Sequence, residues 1–572
     1  MAQVLAWLLA ATIRYSIYLI ELLALLIVAK LAFSAAGSGQ GWFRAVELAF
    51  HKLARRRRLA VVFTGLAALA ARAALLPVLP IRAPVITDEF SYLLAADTFA
   101  SGRLTNPTHP MWVHFESMHI LLHPTYASMY HVGQGMILAA GKVMAGHEWA
   151  GVYASVSLMC ALICWMLQGW LPPQWALLGG MLAVMRLGLF GYWVNSYWGG
   201  AVPAIGGLLV LGALPRIMRR TLVRDALLMA GGMVVLANSR PYEGFLLSLA
   251  ACIFLLAWIV KKRGRELQIA VLRAVLPALL VLALAGAGMG YYYWRVTGSP
   301  FRMPYQVARD QYAAARIFLW ERPNPVPVYR NQQMRDFYVG WELSKFMDAK
   351  TPLGLAKNTI GKAGAFWMFF LGPALTLPLL FLPCILKDRR VRLLMIIGGI
   401  FLVGLSLNTW FYAHYAAPIT GLIYAIVLQG LRHLRIWRWH GRATGLLLAR
   451  SVPVVCLAMA LLRACAQPLA FYMPPDWPMT WYYTRPGNTE RARIAAQLKQ
   501  QPGRQLAIVR YAPSHDFFEE WVYNQASIDG ADVVWARELD DAGNRALIRY
   551  FKDRRVWLVQ PDANPATVSP YR

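Results

Sequence analysis

Long apolar runs alternate with short polar ones along most of this chain. The apolar segments fall at roughly 8–33, 59–79, 133–146, 149–169, 174–193, 199–214, 225–238, 244–260, 268–290, 361–383, 391–408, 412–430 and 443–463. Most approach or exceed the ~20 residues that a helix needs to cross a hydrocarbon core. The pattern predicts an α-helical polytopic membrane protein with about 12–13 membrane segments. The segment 133–146 is the exception. Its helix would rise only about 21 Å, and Lys142 interrupts it. A re-entrant or surface-lying helix is expected there. The first segment lacks a charged region ahead of it and runs on too long for a signal peptide, so it reads as a retained helix.

The polar punctuation gives orientation. Five runs between apolar segments, at 55–58, 216–224, 261–265, 387–392 and 432–442, hold 20 of the 57 Lys and Arg residues. Such a bias marks cytoplasmic loops. With one segment between 130 and 215 not crossing, every basic run faces the cytoplasm. The stretches 80–131, "NSYWGG" (195–200), "NSRPYEG" (238–244), 291–358 and "NTWFYAHY" (408–415) then share the opposite, exterior face.

From about 466 the pattern becomes that of a soluble unit. "RQLAIVRY", "ADVVWAR" and "RRVWLVQP" read as strands, and "NTERARIAAQLKQ", "HDFFEEWVYN" and "DDAGNRALIRYF" as helices. Strands alternating with helices predict a small α/β unit with a parallel sheet. The organisation is therefore 1–58, an N-terminal membrane helix with a basic cytoplasmic linker; 59–465, the membrane domain, with exterior loops 80–131 and 291–358; and 466–572, an exterior α/β domain acting as a cap.

Composition agrees. Of 572 residues 58% are hydrophobic and 15% charged, and mean hydropathy is +0.43. A soluble chain is typically about 45–50% apolar and about 25% charged. The net charge of +29 would suit nucleic acid. Because the basic runs sit between apolar segments, they fit loop orientation instead, and no nucleic-acid partner is expected. Six cysteines form no CxxC pair and fall mostly in apolar segments, where Cys acts as a small hydrophobe. Neither a disulfide framework nor a zinc site is expected.

Candidate chemistry lies in the exterior stretches. "PVITDEFSYLLAADTFASGRL" (84–104) places Asp88 and Glu89 together just beyond an apolar segment. Anions suit a helix N-terminus, and Thr87 is the expected N-cap. A carboxylate there also suits a general base, because a neighbouring carboxylate raises one pKa of the pair. In "NSRPYEG", Arg240 offers the planar fork that matches phosphate oxygens, with Glu243 beside it. Arg295 and Arg302 in "RVTGSPFRMPY" are second-rank cations. The stretch 109–131 holds five of the eleven histidines. Glu116, His119 and His123 follow E-x2-H-x3-H, which on a helix would share one face and form a candidate site for a divalent metal. No metal is required by this reading. His414 and Tyr415 begin an apolar segment at the exterior face, where aromatic belts are also common. In 291–358, Tyr305, Tyr312, Trp320 and Tyr338 are candidates to stack on sugar rings, on surface helices that gate a site.

An exterior acidic pair followed by aromatic and alanine residues ("DEFSYLLAADTFASGRL") resembles the first loop of GT-C glycosyltransferases. The likeness extends over most of the membrane part through "NSYWGGAVPAIGGLLVLGALPR", "NSRPYEGFLL", "YYYWRVTGSPFRMPY" and "FYAHYAAPITGLIYA". It is nearest to the protein mannosyltransferase and lipid A aminoarabinose transferase branch. The resemblance implies a membrane glycosyltransferase of the bacterial inner membrane. It would move a sugar from a polyprenyl-phosphate donor to a glycan, lipid or protein acceptor at the exterior, periplasmic face, with inversion. It implies Asp88 and Glu89 as catalytic carboxylates, and Tyr92, Arg240, Glu243, Arg295, Tyr305, His414 and Tyr415 as substrate-binding residues. One element departs. Where many relatives carry a "KYPPG"-like stretch, this chain has "SMYHVGQG" (128–135), with Met129 at the lysine position and His131 and Val132 at the prolines. The competing class is a lipid carrier or transporter, which predicts charges buried along a path through the spans. Only Glu21, Arg72 and Arg186 stand out as such, and they are scattered. A silent assembly partner is the other alternative.

Overall fold

A computed structural model describes residues 15–34, 40–470, 479–483 and 487–571. The part of the first apolar segment before residue 15 lies outside the described residues. Every one of the thirteen apolar segments is helical where described: α1 (Ser16–Ser34), α3 (Arg57–Ala74), α5 (Val132–Ala145), α6 (Trp149–Leu167), α7 (Pro173–Leu187), α8 (Ala201–Arg220), α9 (Val223–Ala237), α10 (Pro241–Ile259), α11 (Gly264–Thr297), the bent pair α13 (Pro352–Phe370) and α14 (Gly372–Lys387), α15 (Arg392–Ser406), α16 (Thr420–Ile436) and α17 (Thr444–Ala466). Among the described residues six helices are long and apolar enough to cross a membrane, and the bent pair makes a seventh. The pair turns by 98° beside Gly372, whose φ of +59° suits glycine. The α5 segment packs between α6 and α4 (Thr87–Ala100) and ends on Gly146 in the left-handed conformation.

An amphipathic helix, α2 (Gln40–Arg55), links the first two apolar helices. Its Glu47 accepts from Arg435 at 2.9 Å and Arg450 at 3.0 Å. At the same end the Arg57 carbonyl accepts from Gln168. The basic runs at 55–58 and 432–442 thus meet at one end of the bundle. The first turn of α4 and the loops 195–200, 238–240 and 408–415 converge elsewhere. The Gly133 amide donates to the Asn238 carbonyl at 2.7 Å, and the Tyr197 amide to Glu89 at 3.1 Å.

The C-terminal sheet has strands β3 (Arg504–Val509), β4 (Val533–Arg537), β5 (Arg554–Gln560) and β6 (Thr567–Pro570) in the order β4-β3-β5-β6. The first three are parallel, as the pattern predicts, and β6 adds an antiparallel edge. Helices α18 (Thr489–Lys499) and α19 (Asp541–Tyr550) complete it. The expected helix over "HDFFEEWVYN" is not formed; 515–524 is irregular. The cause is the buried Glu520 carboxylate. It takes the amides of Trp521 and Val522 and the hydroxyls of Ser117 and Tyr511, so those amides are lost to a helical ladder.

This sheet is not a detached cap. Leu94, Phe115, Ile120 and Leu122 of the first exterior stretch share one core with Leu506 and Val534. Asp97 accepts both Lys142 at 2.8 Å and the Ala526 amide at 2.7 Å. Burying such a carboxylate against a cation and an amide ties α4, α5 and the C-terminal unit together. The hairpin of β1 (Ile120–Leu121) and β2 (Ala127–Ser128) lies between them. A short helix of the second exterior stretch, α12 (Pro304–Tyr312), packs on β1 through Val307 and Leu121.

Candidate active site

The site begins at the start of α4. Ile86 occupies the N-cap and Thr87 is the first helical residue, so the expected cap shifts by one. Ile86 has no side-chain acceptor, and Glu89 supplies it from the third helical position. Its Oε2 accepts the Val85 amide at 2.9 Å and the Ile86 amide at 3.4 Å, and its Oε1 accepts the Tyr197 amide at 3.1 Å. At 2% exposure this carboxylate is committed to three main-chain donors. It fixes the loop before α4 and draws in the "NSYWGG" loop.

Asp88 is the freer carboxylate. One oxygen accepts the Tyr130 hydroxyl, and the other lies 3.4 Å from His119 Nδ1. His119 in turn meets the Thr87 hydroxyl at 2.8 Å. Its backbone is left-handed, with φ +66°, uncommon for a residue with a side chain. Ser91 and the Met129 amide hold its carbonyl. Asp88 keeps 17% of its side chain exposed and faces a small enclosed cavity. Arg82, Tyr192, Trp198, Tyr412 and Phe518 also line it.

Trp198 is shared with a second cavity, whose wall includes Tyr92, His131, Gln134, Arg240 and His414. Arg240 precedes Pro241, the first residue of α10. Its guanidinium stacks on Tyr415 at 4.4 Å and forms no ion pair among the described residues; Glu243, buried one turn along, does not reach it. His414 is buried at 1% exposure. Its amide donates to the Tyr192 hydroxyl at 3.0 Å, so that hydroxyl donates to His414 Nδ1 at 2.8 Å. The proton of the neutral ring then sits on Nε2, which has no partner. Gly199 and Gly200 pass the same cavity with φ of +89° and +147°. A Cβ on Gly200 would lie 2.2 Å from Trp193, so only glycine fits. The geometry offers an unpaired cation and an unpaired N–H donor, a setting for an anion, next to a hydrogen-bonded carboxylate.

Tyr92 connects the two cavities. It stacks on Tyr130 at 4.6 Å and feels both Arg240 and Asp88. Tyr305 stacks on His131 at 6.2 Å. The stretch that departs from the family pattern therefore still furnishes the site, through Tyr130, His131 and Gln134. Met129, at the lysine position, is buried with Leu121 and Val307.

Other expected residues lie apart. Arg295 donates to Tyr291 at 3.2 Å on an exposed face, and Arg302 pairs with Asp310 at 2.8 Å. Tyr312 and Tyr338 stack on each other, and Trp320 lies on Phe318. The Glu116, His119, His123 trio is not brought together. After the short turn Trp112–Phe115 the chain leaves helical geometry for the β1–β2 hairpin. Glu116 binds Arg330 at 3.1 Å and Tyr312 at 3.3 Å, and burial raises its pKa, partly offset by Arg330. His123 packs on Trp112. Among the described residues no group of three His, Cys, Asp or Glu is placed to hold a metal. Since Glu89 is filled by three amides, the residues do not fit a metal centre.

The pattern did not single out Tyr130, Tyr192, Trp198 or Arg82, although "NSYWGG" and "SMYHVGQG" contain two of them. In comparisons with known proteins, no family model matches. No curated protein matches either. Among solved structures the chain is similar to the oligosaccharyltransferase of Archaeoglobus fulgidus, described with Zn and sulfate, with a TM-score of 0.49 and 11% identity over 88% of this chain and 67% of that one. It is also similar to ArnT from Cupriavidus metallidurans, with a TM-score of 0.46 and 12% identity over 87% of this chain and 92% of that one. Both are members of the GT-C superfamily.

Proposed function

We propose that this protein is a membrane glycosyltransferase that moves a sugar from a polyprenyl-phosphate donor to an acceptor hydroxyl at the exterior membrane face. The observation that carries this reading is the pairing of Asp88 with an unpaired Arg240 in adjoining cavities that share Trp198. In this reading 59–465 is the catalytic membrane part, and 466–572 closes over its first exterior loop.

The division of labour follows from the contacts. The acceptor hydroxyl gives its proton to Asp88 as its oxygen attacks the anomeric carbon. The bond from that carbon to the phosphate oxygen breaks, with inversion, and polyprenyl phosphate leaves. Arg240 and His414 Nε2–H receive the charge that develops on it. Tyr130 and His119 aim the carboxylate, and Glu89 holds the loops. Phosphate is a good leaving group, so no general acid is needed. A transporter reading is disfavoured because the buried charges draw no path. Glu21 pairs with Arg186, and Arg72 donates to Asn195 at 2.9 Å beneath Trp149.

The test compares the wild-type chain with Asp88→Asn in a host lacking the gene. Lipid-linked sugars and envelope glycans are both read by mass spectrometry. The expected result is a glycan short of one sugar and a build-up of the matching lipid-linked sugar, cured by wild type alone at equal expression. If Asp88→Asn cures it equally, or no glycan changes, the reading is wrong.

A further inference from the structure

The Asp88 cavity is too small to hold an acceptor saccharide, at about 30 Å³. It opens past Tyr412 and Phe518 into a groove of about 640 Å³ between α13, the turn of helix that ends at Asp348, and the loop 409–412. One face of α13 forms its floor: Gly354, Lys357, Gly361, Lys362 and Ala365 recur at helical spacing. The small residues leave the depth. Above them Trp341 and Trp410 stack at 5.3 Å and 20°, and such flat apolar faces suit sugar rings.

The charge of this groove is one-sided. Lys345, Lys357 and Lys362 line it against the single carboxylate of Asp348. None of the three enters an ion pair among the described residues. Lys345 stands over Trp341 at 4.7 Å. Lys362 donates to the carbonyls of Asn408 and Ser406, which are neutral. Lys345 and Lys357 are exposed to the groove. Uncompensated ammonium groups beside aromatic faces recognise a saccharide that bears carboxylate or phosphate groups.

Resting on the transferase reading, we infer that this groove is the acceptor site and that the acceptor is an anionic saccharide, held by Lys345 and Lys357 while its reactive hydroxyl passes Tyr412 to reach Asp88. The donor occupies the other side of Trp198. The groove therefore governs acceptor affinity and leaves donor affinity unchanged.

Gly361 gives a direct probe. A Cβ there meets nothing within 4 Å, so Gly361→Trp fills the groove without pressing on the helix packing. Gly399, mid-helix in α15, is equally open, and Gly399→Trp serves as the control for bulk. The assay uses the full-length chain purified in detergent. Membranes from the deletion host are the acceptor probe, and their extracted lipid-linked sugar is the donor. Lys345→Gln/Lys357→Gln should raise the half-saturating amount of acceptor membranes by about tenfold or more, with the donor KM and the saturated rate unchanged. Wild-type transfer should weaken with added salt, and transfer by the double variant should not. Gly361→Trp should abolish transfer, whereas Gly399→Trp should not. Wild-type saturation by acceptor in the double variant, or full activity in Gly361→Trp, overturns the groove. If those results come with an inactive Asp88→Asn, the transferase reading stands and only the acceptor site falls. If Asp88→Asn is fully active, the transferase reading itself has failed.

Discussion

Two buried arginines in this molecule differ in what surrounds their charge. Arg186, near the end of α7, is 1% exposed and meets the Glu21 carboxylate, the Leu371 carbonyl at 3.0 Å and the Trp481 ring. Glu21 is closed off in turn by the Ala374 amide at 3.0 Å. Every charge there is answered within the chain, so nothing remains to bind a ligand. Arg240 rests on Tyr415, with Glu243 out of reach, and its neighbour His414 presents an unpartnered N–H. A cation left without a carboxylate in a cavity is expensive unless a ligand completes it. The first arginine is a staple between α1, α7 and α14. The second is a receptor.

That contrast predicts opposite phenotypes. Arg186→Met leaves the Glu21 carboxylate buried and alone, which should cost about 3–5 kcal/mol of stability. The check is a thermal unfolding midpoint in detergent. Adding Glu21→Gln to Arg186→Met should recover much of the loss, and a midpoint unmoved by Arg186→Met would make the pair irrelevant. Arg240→Gln should do the reverse. The midpoint should stay put while transfer falls about 10²–10³-fold, chiefly through the donor. A large stability loss in Arg240→Gln with little change in transfer would make Arg240 a second staple and undo the comparison.

The same test separates the adjacent carboxylates. Glu89→Gln keeps the shape but replaces an acceptor of three amides with a group that can answer fewer of them. A loss of about 1–3 kcal/mol in stability is expected, with residual transfer in whatever remains folded. Asp88→Asn should leave the midpoint nearly unchanged. Should Glu89→Gln instead abolish transfer at full stability, the base would be Glu89.

What the sequence made legible divides along physical lines. Run length alone located all thirteen apolar helices, because the need to bury main-chain polar groups leaves few other solutions. Asp88 and Arg240 stood out because charges are rare at segment ends. The partners of those charges were not legible. Tyr130 reaches Asp88 across 42 residues, and His119 does so from a left-handed backbone inside a hairpin. The hidden role of Glu89 depends on amides that any residues could supply. The helix expected over 515–524 was lost to a buried Glu520, a tertiary effect that local periodicity does not contain. The metal trio failed for a related reason: its spacing was helical and its backbone is not. The shared core of the C-terminal sheet with the first exterior stretch joins segments roughly 400 residues apart, beyond the reach of any local pattern.

The smallest expected effect gives the finest reading of the Arg240 cavity. Burial first, and Arg240 second, push the His131 imidazole down from 6.5 to about 4. Between those values the unfolded chain binds a proton that the folded chain refuses. His131 therefore contributes stability that is full above about pH 6.5 and is lost as pH falls toward about 4. The midpoint of the wild-type chain minus that of His131→Gln should be flat above about pH 6.5 and shrink below it. A difference independent of pH would mean that His131 is not held neutral. A phosphate bound beside Arg240 reverses part of the shift, since its negative charge favours the imidazolium. Polyprenyl phosphate should then stabilise the wild-type chain more at about pH 5 than at about pH 7.5, and His131→Gln should lose that difference. An equal gain at both pH values would move the phosphate away from His131, and with it the assignment of the second cavity to the donor.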